Sequence, residues 1–145
     1  MAYDDLSVRD AFSAFMKRNG FSEGEYSDPL VWIPMGPVKL PIPNTRGRQA
    51  VVRMHDLHHI ATGYDTDHVG EAEIGAFELA AGCTRFEAYL YNAMAVALGL
   101  VLAPRRVLAA YRRGRAARTL YRAPLSNAAL DAMSVRELRA HLRIA

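Results

Sequence analysis

Cysteine is scarce in this sequence, and its scarcity limits how the chain can be held together. Cys83 is the only cysteine among 145 residues, so an internal disulfide framework is excluded and a reducing compartment is favoured. The chain begins Met-Ala-Tyr-Asp-Asp-Leu, which is acidic and has no apolar run behind a basic start. We therefore expect neither a secretory signal nor an Arg-rich transit peptide, and a cytoplasmic location is the default.

Long apolar runs are also missing. A transmembrane helix needs about 20 consecutive apolar residues. The main apolar stretch, residues 86–102, is shorter than that and contains Glu87 and Asn92. We therefore expect this stretch to form a central buried helix and not a membrane span.

A large net charge is absent too, since the formal charge is only +3. The charge is unevenly distributed, because seven arginines fall between Arg105 and Arg122. A solvated helix face explains this run most simply, and a patch that meets anionic lipid at a membrane surface is the second explanation. Nucleic acid is not expected as a partner, because no nucleic-acid-binding motif accompanies the charge.

Apolar residues at helical spacing are what the sequence has in quantity. They make up 51% of the chain, which is ordinary for a globular protein, and 145 residues suit one domain with a single core. Their spacing predicts several helices. The predicted ranges are 4–19, 45–62, 66–81, 86–102, a helix from 104 onward, a weaker segment over 126–133 and a terminal helix after 134.

The segment over residues 21–43 differs from the rest, because it contains five prolines. Proline lacks an amide hydrogen and disfavours helix in the residue before it, so the segment is predicted to be an extended arm. Short β pairing is allowed around residues 31–33 and 38–40, and Trp32 is expected to anchor the arm on the core. The predicted fold is therefore all-α, a single-domain bundle of five or six helices over residues 1–145 with this proline-rich extended arm.

Capping signals predict where several helices begin and end. A small polar side chain can accept a free amide of the first turn, and glycine can adopt the left-handed conformation that ends a helix. These rules predict N-caps at Asn44 or Thr45 and at Thr66, a C-cap at Gly63, and capping boxes at Thr84–Glu87 and Ser134–Glu137.

The stretch from His55 to Glu71 concentrates imidazoles and carboxylates in a chain otherwise rich in Ala, Leu, Val and Arg. If the residues before Gly63 are helical, His59 lies at about 40° and Asp56 at about 100° around the helix from His55. The three side chains then share one third of the helix surface. A turn after Gly63 can fold Glu71 back against them, which predicts a metal site formed by His55, Asp56, His59 and Glu71.

Imidazole and carboxylate ligands suit several divalent metals. Zinc, iron and manganese all suit these ligands, while the lack of cysteine ligands disfavours a closed structural zinc site. Two histidines and one carboxylate also make the facial triad of non-haem iron, whereas redox-inert zinc could act only as a Lewis acid or activate water. The competing interpretation is an ordinary solvated helix face in which Asp56 hydrogen-bonds a histidine.

Other polar residues near the motif are assigned lesser roles. His58 lies about 100° from His59 around the helix, and His68 lies in the first turn of the next helix. Both are expected to support the ligands or to substitute for one of them. Glu78 is expected to be a surface charge. Arg53 is expected to neutralise the carboxylates, to meet an acidic substrate, or to be a plain surface residue.

The spacing His55-Asp56-x-x-His59, eleven further residues and then Glu71 resembles the signature of the Coq-four family of coenzyme Q (ubiquinone) biosynthesis proteins. The similarity extends over most of the chain from about Pro29 onward. It includes the approach Ile42-Pro43-Asn44-Thr45, Thr62-Gly63 after the histidines, Val69-Gly70 before Glu71, and the ending Leu138-Arg-Ala-His-Leu-Arg-Ile144.

The resemblance implies a function as well as a ligand set. It implies that His55, Asp56, His59 and Glu71 bind one divalent metal, usually taken as zinc. It implies a role in maturing the quinone head group on a polyprenylated aromatic ring, in which the ring carboxylate is lost and a hydroxyl takes its place. It also implies that the protein organises other quinone-biosynthesis proteins.

A polyprenyl tail would need an apolar groove, in which each buried methylene contributes about 0.8 kcal/mol. Given the resemblance, a groove between helix 86–102 and the helix of the motif becomes a candidate, with Tyr89, Leu90 and Met94 as its lining. We therefore expect a polyprenylated aromatic or another lipid as ligand, and peripheral contact with the inner face of the membrane. A homodimer is left open.

Two other functions compete with the enzymatic one. A lipid-binding scaffold for quinone-synthesis enzymes would use a metal only to hold two helices together. An HD-type metal phosphohydrolase would share the dyad His55-Asp56, but it needs a further His and Asp, and a dedicated set of that kind is not evident in the sequence.

Overall fold

The computed structural model describes residues 3–21, 28–35 and 38–144 and contains, within these ranges, seven helices and one β-hairpin. The all-α class is confirmed. The helix count exceeds the prediction by one, because the short segment after Ser126 forms a helix of its own. In chain order the elements are α1 Val8–Asn19, β1 Leu30–Met35, β2 Val38–Pro43, α2 Arg46–Thr62, α3 His68–Ala81, α4 Phe86–Leu102, α5 Pro104–Gly114, α6 Asn127–Ala132 and α7 Val135–Leu142.

The proline-rich arm forms an antiparallel hairpin, with Leu30 opposite Pro43 and Met35 opposite Val38. The indole of Trp32 is 57% exposed, so the prediction that it anchors the arm was wrong. The hairpin is tied at its base instead, because Asn44 donates its backbone amide to the Pro29 carbonyl over 2.9 Å. Residues 22–27 and 36–37 of the predicted arm lie outside the described ranges.

Helix α3 lies at the centre of the molecule, and nine of its fourteen residues are buried. On one side, Ile74 and Phe77 pack into the main core, which α1, α2 and α7 complete. On the other side, Ala72 and Ala76 pack against Val107 and Ala110 of α5. Because α3 is covered on both sides, a polar group on one of these buried faces must find a partner inside the protein.

Helix α4 was predicted to be the central buried helix, and that prediction was wrong. Its buried residues are Ala88, Asn92 and Gly99. Its large apolar side chains face outward, and Val101 is 80% exposed. No helix in the described ranges combines the length and apolarity that crossing a membrane requires.

Small residues explain why α4 turns the face that carries Ala88, Asn92 and Gly99 inward. A Cβ added at Gly99 would overlap the Ala72 side chain, and a Cβ added at Gly75 would come within 3.1 Å of the Asn92 carbonyl oxygen. Helices α3 and α4 therefore meet along glycine and alanine, where their backbones can approach closely. Packing of this kind leaves the larger side chains of α4 on the outside, which its overall apolarity does not reveal.

The structure contains some of the predicted helix caps and lacks others among the described residues. Thr45 and Ser134 cap α2 and α7 as expected, and the Ser134–Glu137 capping box is present. Helix α3 is capped by Asp67, whose carboxylate accepts the amide of Gly70 over 2.7 Å, and not by Thr66. The prediction of a capping box at Thr84–Glu87 was also wrong, because the Thr84 hydroxyl donates to the carbonyl of Tyr121 in a distant loop.

Candidate metal centre

The predicted sequence of helix, short turn and new helix is present over residues 46–81. Helix α2 ends at Gly63, which has a φ of 79° and adopts the left-handed conformation that glycine tolerates best. Because α3 starts only five residues later, its first turn lies beside the last turns of α2. This placement brings Glu71 of α3 against His55 and His59 of α2.

Three ligand atoms converge at this point. The Nε2 atoms of His55 and His59 lie 3.2 Å apart. The carboxylate of Glu71 places one oxygen 3.2 Å from His55 Nε2 and the other 3.3 Å from His59 Nε2. Within the described residues, His55, His59 and Glu71 form a cluster that could hold a metal ion.

Hydrogen bonds fix which nitrogen of each imidazole faces this cluster. His59 Nδ1 lies 3.1 Å from the carbonyl oxygen of Tyr64, and His55 Nδ1 lies 3.1 Å from a carboxylate oxygen of Glu78. A carbonyl or carboxylate oxygen only accepts, so both Nδ1 atoms carry a hydrogen and donate it. The Nε2 atoms are therefore the ones that can offer lone pairs to a metal, which is the usual arrangement of histidine ligands.

Two Nε2 lone pairs that face one another at 3.2 Å repel unless a positive charge lies between or on them. A metal cation satisfies this requirement, and so does an additional proton on one ring. Zinc bonds of about 2.0 to 2.2 Å at tetrahedral angles place neighbouring ligand atoms about 3.3 Å apart. The 3.2 Å between the two Nε2 atoms is close to this value, and each Nε2 has a different oxygen of Glu71 at 3.2 or 3.3 Å, so the three residues could hold a metal ion.

The same groups perturb one another's protonation. Burial lowers the pKa of His55, but the negative charge of Glu78 and the hydrogen bond to Glu71 outweigh it and raise the pKa well above 6.5. Burial raises the pKa of Glu71, but hydrogen bonds to His55 and His59 outweigh it and lower the pKa from 4.5 to about 2. In the metal-free protein, a proton on His55 therefore supplies the charge that the cluster requires, and a metal would have to displace it.

Glu78 was predicted to be a surface charge, and the structure corrects this prediction. Its side chain is completely buried and accepts hydrogen bonds from His55, His58, Asn92 and Tyr121. Sequence reasoning missed its role, although one signal existed. Glu78 follows Glu71 by seven residues, which places both carboxylates on one side of α3.

The contacts with His55, His58 and Tyr121 explain how a carboxylate can be charged inside the protein. Burial raises the pKa of Glu78, but the charge of His55 and the hydrogen bonds from His55 and His58 hold it well below its usual range. Burial and the charge of Glu78 raise the pKa of Tyr121 well above its usual value near 10, so the phenol keeps its hydrogen and can donate it. The carboxylate is therefore ionised and surrounded by donors.

The remaining predicted site residues lie outside the converging cluster. Asp56 is buried, but it does not belong to the group whose ligand atoms converge, so its role as a ligand stays a prediction. His68 is exposed at the start of α3. His58 is completely buried and hydrogen-bonds Glu78 over 2.6 Å. Arg53 pairs with Asp131 over 2.7 Å.

A cleft of about 230 Å³ leads from the surface to the cluster between α2 and α4. Its lining includes His55, Glu71 and Glu78, and its other residues are Arg48, Val51, Val52, Glu87, Ala88, Tyr91, Asn92, Ala95 and Tyr121. The predicted groove between these two helices is therefore present. Tyr89, Leu90 and Met94, which were expected to line it, lie on the exposed face of α4 and are not part of this lining.

The cluster adjoins the cleft, because His55 and the partly exposed Glu71 belong to both. If the three residues held a metal ion, further coordination positions would remain free. The cleft combines polar groups such as His55, Glu71 and Asn92 with the apolar side chains of Val51, Val52, Ala88 and Ala95, and such a combination is typical of small-molecule sites.

Comparison with models of known protein families gives no match, and comparison with curated proteins gives none either. The resemblance to the Coq-four family therefore depends on the residues quoted above and stays a prediction.

Proposed function

We propose that this chain is a metal-dependent protein of ubiquinone biosynthesis that acts on the aromatic head group of a polyprenylated substrate. The observation that carries the proposal is the pair of Nε2 atoms that face each other at 3.2 Å beside the carboxylate of Glu71. The substrate class comes from the motif that resembles the Coq-four signature. The cleft beside the cluster supports it, because Val51, Val52, Ala88 and Ala95 give it apolar surface that suits an aromatic ring.

The proposed reaction replaces the ring carboxylate with a hydroxyl. The carbon–carbon bond to the carboxylate breaks and carbon dioxide leaves, while one atom of dioxygen forms the new carbon–oxygen bond. The second oxygen atom becomes water and consumes two protons and two electrons from a reductant, which the proposal requires as a co-substrate. The resemblance implies zinc, but this reaction favours iron, because zinc is redox-inert and two histidines with one carboxylate can also bind non-haem iron.

Residues of the chain would position the substrate. Arg48 lines the cleft and is held by Asn44, whose Oδ1 accepts from its guanidinium over 2.9 Å. A guanidinium in this place can pair with the ring carboxylate. Val51 and Ala88 offer apolar surface to the ring from the two sides of the cleft.

Peripheral membrane contact is a second part of the proposal, and the exposed face of α4 supports it. Apolar patches of this kind are uncommon on proteins that remain free in solution. The exposed residues include Phe86, Leu90, Met94 and Val101. No Asp or Glu occurs between residues 88 and 130, whereas the seven arginines lie in this segment. An apolar face beside positive charge fits an anionic lipid surface better than a second copy of the same positive segment.

Vesicle sedimentation tests the membrane contact. The protein is expected to sediment with vesicles that contain phosphatidylglycerol and much less with pure phosphatidylcholine. Val101→Glu is expected to weaken this binding, because it places a charge on the exposed face. Equal binding by wild type and variant, or a stable dimer in place of vesicle binding, would contradict this part of the proposal.

The metal and the reaction can be tested on the same preparations. Elemental analysis is expected to find a divalent metal in the wild-type protein and little in His59→Ala or Glu71→Ala. His68→Ala is the matched control, because this histidine is exposed and outside the cluster. Wild-type protein, loaded with iron and supplied with a reductant under air, should release carbon dioxide from a prenylated hydroxybenzoate.

The alternatives predict different outcomes. Metal binding without turnover under any redox condition would favour a lipid-binding scaffold, for which the exposed face of α4 is a specific argument. Phosphate release from nucleotides would favour the HD-type phosphohydrolase. That function has less support, since Asp56 does not join His55 in the converging group.

A further inference from the structure

Glu78 receives four hydrogen bonds inside the protein, and it has no exposed surface. One carboxylate oxygen accepts from His55 Nδ1 over 3.1 Å and from His58 Nδ1 over 2.6 Å. The other accepts from Asn92 Nδ2 over 2.6 Å, and the hydroxyl of Tyr121 lies 3.3 Å from both. A carboxylate has about four acceptor positions, so this set of donors satisfies it completely.

The tautomer of His58 follows from its second contact. The backbone amide of Leu120 lies 2.9 Å from His58 Nε2, and an amide N–H can only donate. His58 Nε2 must therefore be unprotonated, which leaves the ring hydrogen of a neutral imidazole on Nδ1. This hydrogen points at Glu78, so the backbone of the loop before α6 fixes one donor of the network.

The same oxygen of Glu78 that His58 contacts also meets Nδ1 of His55. His55 is part of the metal cluster through its other nitrogen. A carboxylate that accepts from Nδ1 keeps the hydrogen there, orients the ring and makes Nε2 a stronger ligand. Rotation of the ring would lose this bond and leave a buried carboxylate with an unused acceptor position.

From these contacts we infer that Glu78 is a positioning residue, which fixes the ring of His55 so that Nε2 faces the metal cluster. His58, Asn92 and Tyr121 hold the carboxylate in place from α2, α4 and the loop after α5. The network thus couples the cluster to three other parts of the fold. This inference rests on the proposed metal site, but it also makes a claim about the metal-free protein, namely that His55 and His58 both carry a hydrogen on Nδ1.

Nuclear magnetic resonance of the imidazole nitrogens tests that claim without any variant or metal. Long-range proton–nitrogen spectra of the uniformly ¹⁵N-labelled wild-type protein should show protonated Nδ1 atoms in His55 and His58, and an unprotonated Nε2 in His58. A hydrogen on His58 Nε2, or an Nδ1 of His55 without one, would overturn the inference. This result does not depend on whether the protein binds a metal.

Cobalt binding tests the consequence for the cluster. Glu78→Gln keeps the size of the side chain and removes its charge, and it is expected to weaken Co²⁺ binding by about 10-fold to 100-fold and to change the visible absorption of the bound ion. Glu73→Gln is the matched control, because Glu73 is a buried carboxylate of the same helix that pairs with Arg106 and not with the cluster. It should leave the affinity for Co²⁺ unchanged.

The two measurements separate the possible failures. Equal losses of affinity in Glu78→Gln and Glu73→Gln would mean that Glu78 acts only on the stability of α3, and the inference would be wrong. Failure of the wild-type protein to bind Co²⁺ would overturn the proposed metal function, while the nitrogen spectra would still decide whether Glu78 orients His55. If Glu78→Gln does not fold, the spectra of the wild-type protein remain the deciding measurement.

Discussion

Helices α3 and α4 are neighbours in the fold, and both differ from the expectation that charged side chains are exposed and apolar side chains are buried. Helix α3 buries two carboxylates, Glu73 and Glu78, while α4 exposes most of its large apolar side chains. The carboxylates are stable inside because Arg106 pairs with one and four neutral or basic donors surround the other. In these two helices, the burial of a side chain depends less on its apolarity than on close packing at small residues and on the hydrogen-bond partners available to it.

The largest expected effect compares one phenylalanine from each helix. Phe77 of α3 is fully buried, whereas Phe86 of α4 is 75% exposed. Phe77→Ala is expected to lower the free energy of unfolding by about 3 to 5 kcal/mol, because it leaves a cavity in the main core. Phe86→Ala should change it by less than about 0.5 kcal/mol. Urea unfolding of both variants measures the difference, and similar losses in the two would mean that α4 is buried in solution.

A smaller effect is expected at the contact between the helices. Gly99→Ala adds a methyl group that would overlap Ala72, and it should destabilise the protein by about 1 to 3 kcal/mol. Gly47→Ala is the control, since the closest atom to its added Cβ is the flexible end of Arg85 at 3.2 Å, and the next is Thr45 Oγ1 at an ordinary 3.9 Å. There, the better helix propensity of alanine should stabilise α2 by up to about 1 kcal/mol. Stabilisation at both positions would show that the close approach of α3 and α4 is absent.

A third prediction concerns pH and the metal-free protein. The pKa of Glu71 is lowered to about 2, so its contribution to stability is present above its unfolded value of 4.5 and is lost as pH falls toward 2. The pKa of His55 is raised, so its contribution is present below 6.5 and is lost as pH rises through the folded value. Unfolding free energies, measured in a chelator from about pH 3 to about pH 8, should therefore be highest at mildly acidic pH.

The size of this pH effect should be modest on the acid side, because the Glu71 side chain is 38% exposed and solvent screens its interactions. Glu71→Gln is the control, and it should flatten the acid part of the profile. An unchanged profile in this variant would indicate that Glu71 does not contact the histidines in solution.

The sequence predicts what depends on neighbouring residues in the chain. The positions of His55, His59 and Glu71 follow from helical spacing and a glycine turn, and the structure brings these three together. The burial of Glu78 could not be predicted in this way, because it depends on Leu120, Asn92 and Tyr121, which are distant in the chain.

The prediction that α4 is buried was wrong for the same reason, because its burial also depends on residues that are distant in the chain. An apolar helix is expected to be buried only if the fold provides a surface to cover it. In the described residues, α3 and α5 cover α4 at Gly99, and Val51 of α2 packs with Ala88 together with Tyr121. Within residues 3–21, 28–35 and 38–144, the opposite side of α4 stays largely exposed, which no periodicity in the sequence indicates.

The most direct test of the metal site is a crystal structure of the protein grown with a divalent cation and measured with anomalous scattering. One peak is expected between Nε2 of His55, Nε2 of His59 and the carboxylate of Glu71, at about 2.0 to 2.2 Å from each. Crystals in which the cation binds elsewhere, with Glu71 turned toward solvent and the two imidazoles apart, would contradict the account.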